Sequence, residues 1–344
     1  MPLDTEIIQY IYLTKMNKAN QRNLREKSYQ LIKPSYPLAP YWTSELYSKG
    51  KYLREYGYYP FFLPLCVNSS HGVGEYSSPQ LHELESDAPA QLFFSKKALK
   101  KWKKITTKPA YIIITPEIYY RTSRKIKQNK NAKGTIYFPV HSTPSFQDQL
   151  DHSKLIKTIK KIPEKFQPVD VCLHSHDIKK NLHLLYIKEK IRVVSAGDAS
   201  DYRFIKRFYN ILKEYKFSMS NGIGSYLFYS IEMGVPFSLV GPDPKLLNIS
   251  DENFEKGKIR SDHLNPDFQK TSNLFKGYYS KISNQQFRHV KKHLGILYTI
   301  SRFQLSIVLY KSFFCWILSP KKIYRFSKQS ALILINKILN NENP

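Results

Sequence analysis

Four short polar segments carry residue types suited to chemistry on an anion: His141-Ser142-Thr143, His174-Ser175-His176-Asp177, Gly197-Asp198 and Ser220-Asn221-Gly222-Ile223-Gly224-Ser225. Hydroxyl, amide and imidazole groups donate hydrogen bonds to phosphate oxygens, and glycine lets a backbone approach a ligand closely. Ser225 stands just ahead of a helical run, Tyr226–Met233. A helix start presents free N–H groups and the positive end of its dipole, so this turn predicts a phosphate or diphosphate site. Glu232, further along the same helix, is a candidate acceptor for a ribose hydroxyl. His174 and His176 also have the spacing of two metal ligands. The flanking sequence adds no ligand cluster, and we expect no metal. No Walker lysine pattern and no Gly-x-Ser-x-Gly elbow is present. A separate segment, Ser69-Ser70-His71-Gly72-Val73-Gly74-Glu75, offers His71 or Glu75 as a general base, with Asp87 as the second choice.

The elements that must hold these residues follow from pattern. Strands are expected at Tyr58–Val67, Tyr111–Thr115, Thr135–Val140, Val169–Leu173, Ile191–Ser195, Lys216–Met219 and Val235–Val240. Helices are expected at Ser95–Lys104, Leu155–Ile162, Ile178–Lys188, Asp201–Tyr215 and Tyr226–Met233, the last ended by Gly234. Arg121–Lys133 is polar and basic and reads as a linker. Strands alternating with helices imply a parallel sheet, in which ligands bind beyond the carboxyl ends of the strands. All four polar segments sit at such ends. Cys172, inside a strand, reads as a packing residue.

Composition narrows the class. With 344 residues and 42% hydrophobic content, the chain has the material for two domains with packed cores. Its 54 Lys+Arg against 27 Asp+Glu give a formal charge of +27, which attracts polyanions without choosing among them. Three scattered cysteines form neither a disulfide framework nor a zinc pattern. The longest apolar run, Leu305–Leu318, is too short to span a bilayer and is broken by Lys311. These features predict a cytoplasmic protein.

The segments GTIYFPVHSTPSF (134–146), PVDVCLHSHDI (168–178) and VVSAGDASDYRFIKRFYNILKEYKFSMSNGIGSYLFYSIEMGVPF (193–237), with a weaker SSHGVGE near the N-terminus, resemble GT-B glycosyltransferases. More narrowly, they look like bacterial proteins of capsule and O-antigen synthesis. The resemblance implies an α/β protein of two Rossmann-like domains facing across a cleft. Residues 1–130 would take the acceptor, 131–290 would bind the nucleotide sugar, and 291–344 would form C-terminal helices on the first domain or on a membrane. It implies that His141, Ser142, Thr143, His174, Gly197, Asp198, Ser220, Asn221, Gly222, Gly224 and Ser225 surround the nucleotide and its phosphates. The family's usual donor-domain acid would fall on Glu232. It further implies transfer to a lipid-linked saccharide with no bound cofactor. The aromatic, basic stretch Phe303–Phe326 and the Lys96–Lys104 patch around Trp102 fit an anionic membrane surface.

Other classes compete with this reading. A nucleic-acid binder accords with the charge, but no helix-turn-helix, RNP or zinc signature is present, and no nucleic-acid partner is expected. A nucleotide-sugar 2-epimerase or a glycerophosphate transferase would keep the fold and change the chemistry. A non-catalytic scaffold in a polysaccharide assembly would keep only the fold.

Overall fold

The computed structural model describes residues 39–324 apart from 75–78, 144 and 261–264, together with residue 327. The first half holds α1 (Lys49–Tyr56), β1 (Asn68–Ser69), α2 (Leu81–Leu84), β2 (Gln91–Phe93), α3 (Lys96–Ile105), β3 (Ala110–Ile112) and α4 (Pro116–Ser123). Its strands form a parallel sheet in the order β1-β2-β3. The second half begins with β4 (Thr135–Phe138), β5 (Phe146–Asp148), α5 (His152–Lys160), β6 (Val169–Cys172), α6 (Ser175–Lys179), α7 (His183–Lys188) and β7 (Val193–Val194). It continues with α8 (Phe204–Leu212), β8 (Phe217–Ser220), α9 (Ser225–Met233), β9 (Phe237–Leu239) and β10 (Leu246–Asn248), then α10 (Pro266–Phe275), α11 (Asn284–Lys291) and α12 (Arg302–Ile317).

Strands β7-β6-β4-β8-β9 make one all-parallel sheet in that order. The chain winds outward from β4 in one direction, then returns to β4's other edge. That reversal, between β4 and β8, is the topological switch point where ligands bind in open α/β sheets. A period of two sends alternate side chains to opposite faces. Tyr137, Val171, Val193 and Met219 therefore pack with α5 and α7 residues Leu155, Ile159 and Tyr186 on one face. Ile136, Phe138 and Val194 face the other way, onto α8 and α9.

That second face is shared. Its core contains Phe208, Tyr209, Leu227 and Ile231 from the second half, with Leu53, Leu92, Ile113 and Ile118 from the first. Polar ties cross the same seam: Tyr47 N–H to Ala199 O at 2.6 Å, and the Ser48 hydroxyl to Asp201 O at 3.2 Å. Arg121 on α4 grips Glu232 on α9 through two nitrogens, Nε at 2.6 Å. The expected linker is anchored rather than loose. Asn129 N–H donates to Lys213 O, Lys133 N–H to Glu214 O, and Gln128 to Tyr215 O. Residues 121–123 belong to α4.

Helix α12 starts with a capping box, Ser301 and Gln304. It buries Leu305, Leu309 and Trp316. A Cβ at Gly57 would lie 2.7 Å from Leu309, so α12 rests directly on the end of α1. Arg302 donates to the Tyr56 and Glu55 carbonyls. No helix among the described residues is long and apolar enough to cross a membrane.

The structure departs from the sequence reading in several places. Tyr58–Val67 is not a strand: the stretch is irregular, β1 begins only at Asn68, and Phe61 and Phe62 are 82% and 65% exposed. Pro60 and Pro64 lack the N–H groups a strand needs. Ile178–Lys188 is broken at Asn181, whose φ of 60° lies outside helical geometry, and α6 and α7 flank it. Trp102 is fully buried and donates to Lys108 O, so it adds no aromatic to the basic surface of α3. An antiparallel pair, β5 with β10, was absent from the sequence reading. Gly234 takes the left-handed conformation after α9, with φ 93°.

Candidate functional site

The carboxyl ends of β4, β6, β7 and β8 bring the expected polar segments to one edge of the five-stranded sheet. Many of those residues spend their hydrogen bonds within the chain. Asn221 is buried at the switch point, accepting from Val140 N–H at 2.9 Å and donating to Pro242 O at 3.2 Å. It ties the ends of β4, β8 and β9 together. The Ser220 hydroxyl accepts from Gly222 N–H and bonds the Tyr226 hydroxyl at 2.9 Å. The Ser142 hydroxyl accepts from Asp148 N–H, and the Thr143 hydroxyl from Phe146 N–H, which sets the turn into β5.

The glycines serve close packing. A Cβ on Gly222 would lie 2.3 Å from Val140 Cγ2, and one on Gly224 2.6 Å from the Tyr226 ring. Tyr226 folds back over the turn and donates to Gly222 O. Gly197 has φ +90°, and its Cβ would meet Arg207 at 2.6 Å. Asp198 braces the next loops, accepting from the Ser200 N–H and hydroxyl and from the Ser175 hydroxyl. Burial works against its charge, but the Ser200 bonds and the Lys179 ammonium hold the carboxyl below its usual value. Glu232 lies more than one turn down α9, engaged by Arg121, and is not brought to the sheet edge.

What the structure does bring together is a set of imidazoles. His141 and His174 stack with centroids 4.1 Å apart and planes 7° from parallel. His174 and His176 stack at 4.9 Å. The register explains the first pair. Tyr137 stands opposite Val171, so His141 projects beyond β4 at nearly the same level as His174 beyond β6. His71 reaches the cluster from the first half, its ring 5.6 Å from those of both Trp42 and Tyr47.

A single hydroxyl fastens the loop that carries His71. Ser225 Oγ accepts from Val73 N–H at 3.0 Å and donates to Val73 O at 3.1 Å. The start of α9 and the Ser70–Gly74 loop are therefore joined. Beneath them, buried Lys49 donates to Ser70 O at 2.9 Å and His71 O at 2.7 Å. Burial pulls its ammonium down to about 8, against the pull of Glu117 and Glu83.

The hydrogen bonds assign the tautomers. His141 Nδ1 lies 2.8 Å from Ser142 O and carries the proton. His174 Nδ1 accepts from His176 N–H, so its Nε2 carries the proton. That Nε2, like His71 Nδ1, is buried with no hydrogen-bond partner among the described residues. Burial depresses all four rings, and nearby cations add to it. His71 is pushed to about 3 by burial, Lys49, His82 and His141. His174 falls well below its ordinary value through burial, His141, His176, Lys179 and His71. His141 and His176 are lowered too, and for His176 the Asp198 carboxylate partly opposes the shift. The cluster is neutral at pH 7, and Lys49 and Lys179 disfavour adding a proton to it.

Beside it lies Asp177 of the His174–Asp177 segment, whose burial the sequence did not show. Asp177 is 1% exposed, and neither carboxylate oxygen has a well-formed hydrogen bond among the described residues. Burial pushes it to about 7 and Asp148 adds to the rise, against weak bonds from the Ser142 and His174 backbone and the pull of Lys180. Asp148 is itself raised to about 6 by burial. Lys49 was missed by sequence reasoning, because nothing in SKGKYL marks a buried lysine. Of the base candidates, Glu75 lies outside the described residues, and Asp87 accepts from the Tyr41 hydroxyl at 3.0 Å.

Among the described residues, no group of three or more His, Cys, Asp or Glu is arranged to hold a metal ion. No protein-family model matches the chain, and no curated protein matches it significantly. The α/β architecture with parallel sheets is what the structure establishes.

Proposed function

We propose that the protein is a GT-B-type glycosyltransferase that moves a sugar from a nucleotide-sugar donor to a lipid-linked bacterial surface saccharide. One observation carries this reading: the Ser70–Gly74 loop of the first half is fastened by Ser225 against the strand ends of the second, at the switch point. A transfer between two substrates calls for such a meeting of two sheets' loops. In this reading the five-stranded half binds the donor and the three-stranded half takes the acceptor. The imidazole N–H of His174 faces the diphosphate, where leaving-group charge develops. His71 or Glu75 would take the acceptor's proton. Exposed Phe303, Phe314 and Leu318 on and after α12, with Lys311, Lys321 and Lys322, support docking on an anionic membrane face.

Charge favours the nucleic-acid reading, but burial of Trp102 removes the aromatic from the most basic helix. The test is thermal unfolding against UDP, GDP, CDP, CMP, ADP and TDP. A nucleotide at a hundred times its dissociation constant adds about 2.7 kcal/mol. One nucleotide standing out, and losing its effect in His174→Ala, supports the proposal. A flat panel refutes it.

A further inference from the structure

We propose that the imidazoles of His71, His141 and His174 form a proton-coupled anion site, empty when neutral and charged when a phosphate-class dianion enters. The geometry points there first. His141 and His174 stack, His71 of the first half lies within electrostatic reach of both, and two of the nitrogens, His174 Nε2 and His71 Nδ1, are buried with nothing to bond. An orphaned buried donor is costly, and such groups are retained where a ligand completes them. An apolar ligand would leave both unsatisfied. A cation would meet imidazoles crowded by lysines. An anion satisfies both nitrogens and relieves the repulsion.

The surroundings say what happens to protons. His71 faces Lys49 on α1, His82 on α2 and His141 beyond β4. His174 faces His141, His176, Lys179 and His71. Of the acids, Asp198 faces His176, Asp177 lies beside the pair with its carboxyl pushed up to about 7 by burial, and Glu117 and Glu83 act on Lys49. Lys49 and Lys179 disfavour imidazolium at His71 and His174, and a proton on any one ring disfavours a proton on the next. A dianion in contact reverses the sign of the local field, so a ring that was neutral gains a proton as the ligand arrives. His141 has a second use for that proton. Its Nδ1 is committed to Ser142 O, so protonation at Nε2 gives it a donor without breaking the existing bond.

The identity of the anion as a diphosphate rests on the glycosyltransferase proposal; the proton coupling does not. The experiment is isothermal calorimetry at pH 8.0, where a nucleoside diphosphate has already lost its secondary phosphate proton (pKa about 6). UDP, GDP and CDP are titrated in Tris and in Pipes-type buffers of different ionisation enthalpy, and inorganic pyrophosphate is the nucleotide-free control. The expected result is uptake of about one proton per nucleotide bound, with affinity falling about tenfold per pH unit from 7.5 to 8.5. His174→Gln and His141→Asn, which keep an amide near Nε2 and Nδ1 respectively but take no charge, should each weaken binding and reduce the uptake. Binding without proton uptake overturns the coupling and leaves the nucleotide reading standing. Pyrophosphate bound with uptake while every nucleotide fails supports the site and sinks the nucleotide. Failure of all probes, or uptake unchanged in both variants, overturns the proposal.

Discussion

Replacing Asp177 with asparagine should stabilise the protein at alkaline pH. Asp177 is 1% exposed and its oxygens lack well-formed bonds among the described residues. Its folded carboxyl is raised from 3.8 to about 7. A group whose pKa is raised on folding favours the folded state below its unfolded value and loses that contribution as pH rises through the folded one. For Asp177 the loss runs from about pH 4 to about pH 7. At about 1.36 kcal/mol per pH unit, ionised Asp177 costs roughly 4 kcal/mol at pH 8 and roughly 0.5 kcal/mol at pH 4 relative to a neutral isostere. The depressed histidines run the other way, losing their contribution as pH falls below about 6.5. They are neutral at pH 8 and leave the comparison clean there. At about 2.1 cal/mol/K per residue, 4 kcal/mol is a rise in Tm of roughly 6 °C. Thermal unfolding of Asp177→Asn and the parent at pH 8 and pH 4 measures it. A loss of stability at pH 8, or an equal gain at both pH values, refutes the reasoning.

The Arg121–Glu232 pair gives a second expectation. Arg121→Ala leaves a buried carboxylate unpaired and should cost about 3–5 kcal/mol in urea unfolding, while Arg121→Met with Glu232→Leu recovers most of it. Gly222→Ala should cost about 1–3 kcal/mol, because its new methyl meets Val140 Cγ2, and Val140→Ala in the same chain should restore part of the loss. Ser225→Ala should cost about 1 kcal/mol and release the His71 loop, read as faster amide exchange at residues 71–74 with β4 unchanged.

How much of this was legible depends on the kind of constraint. The second half was readable because strand and helix periods alternate cleanly from Thr135 to Val240, and adjacent parallel strands must deliver their ends to one edge. That alone put His141 and His174 at one edge of the sheet. The first half was not, because Tyr58–Val67 has strand-like side chains on a backbone whose prolines forbid pairing. Trp102 was misplaced by attention to the lysines around it. Ala98, Leu99 and Trp102 recur at helical spacing, and Trp102 faces inward while Lys96 and Lys100 stay exposed. The glycines were found, but their cause lies in Val140 and Tyr226, whose atoms fill the space a ligand was expected to use. The burial of Lys49 and of Asp177 left no trace, since burial of a charge is decided by tertiary packing rather than by neighbours in sequence.

The core shared by the two sheets bears on what happens when the chain is cut. The exposed segment 124–133 is the natural place for a protease, and its cleavage would ordinarily free two domains. Here Leu53, Leu92 and Ile118 pack into the same cluster as Tyr209, Leu227 and Ile231. The nicked halves would each expose an apolar face if they parted. They should instead remain one particle through gel filtration, separate only in denaturant, and, when produced as two polypeptides, find each other and fold together.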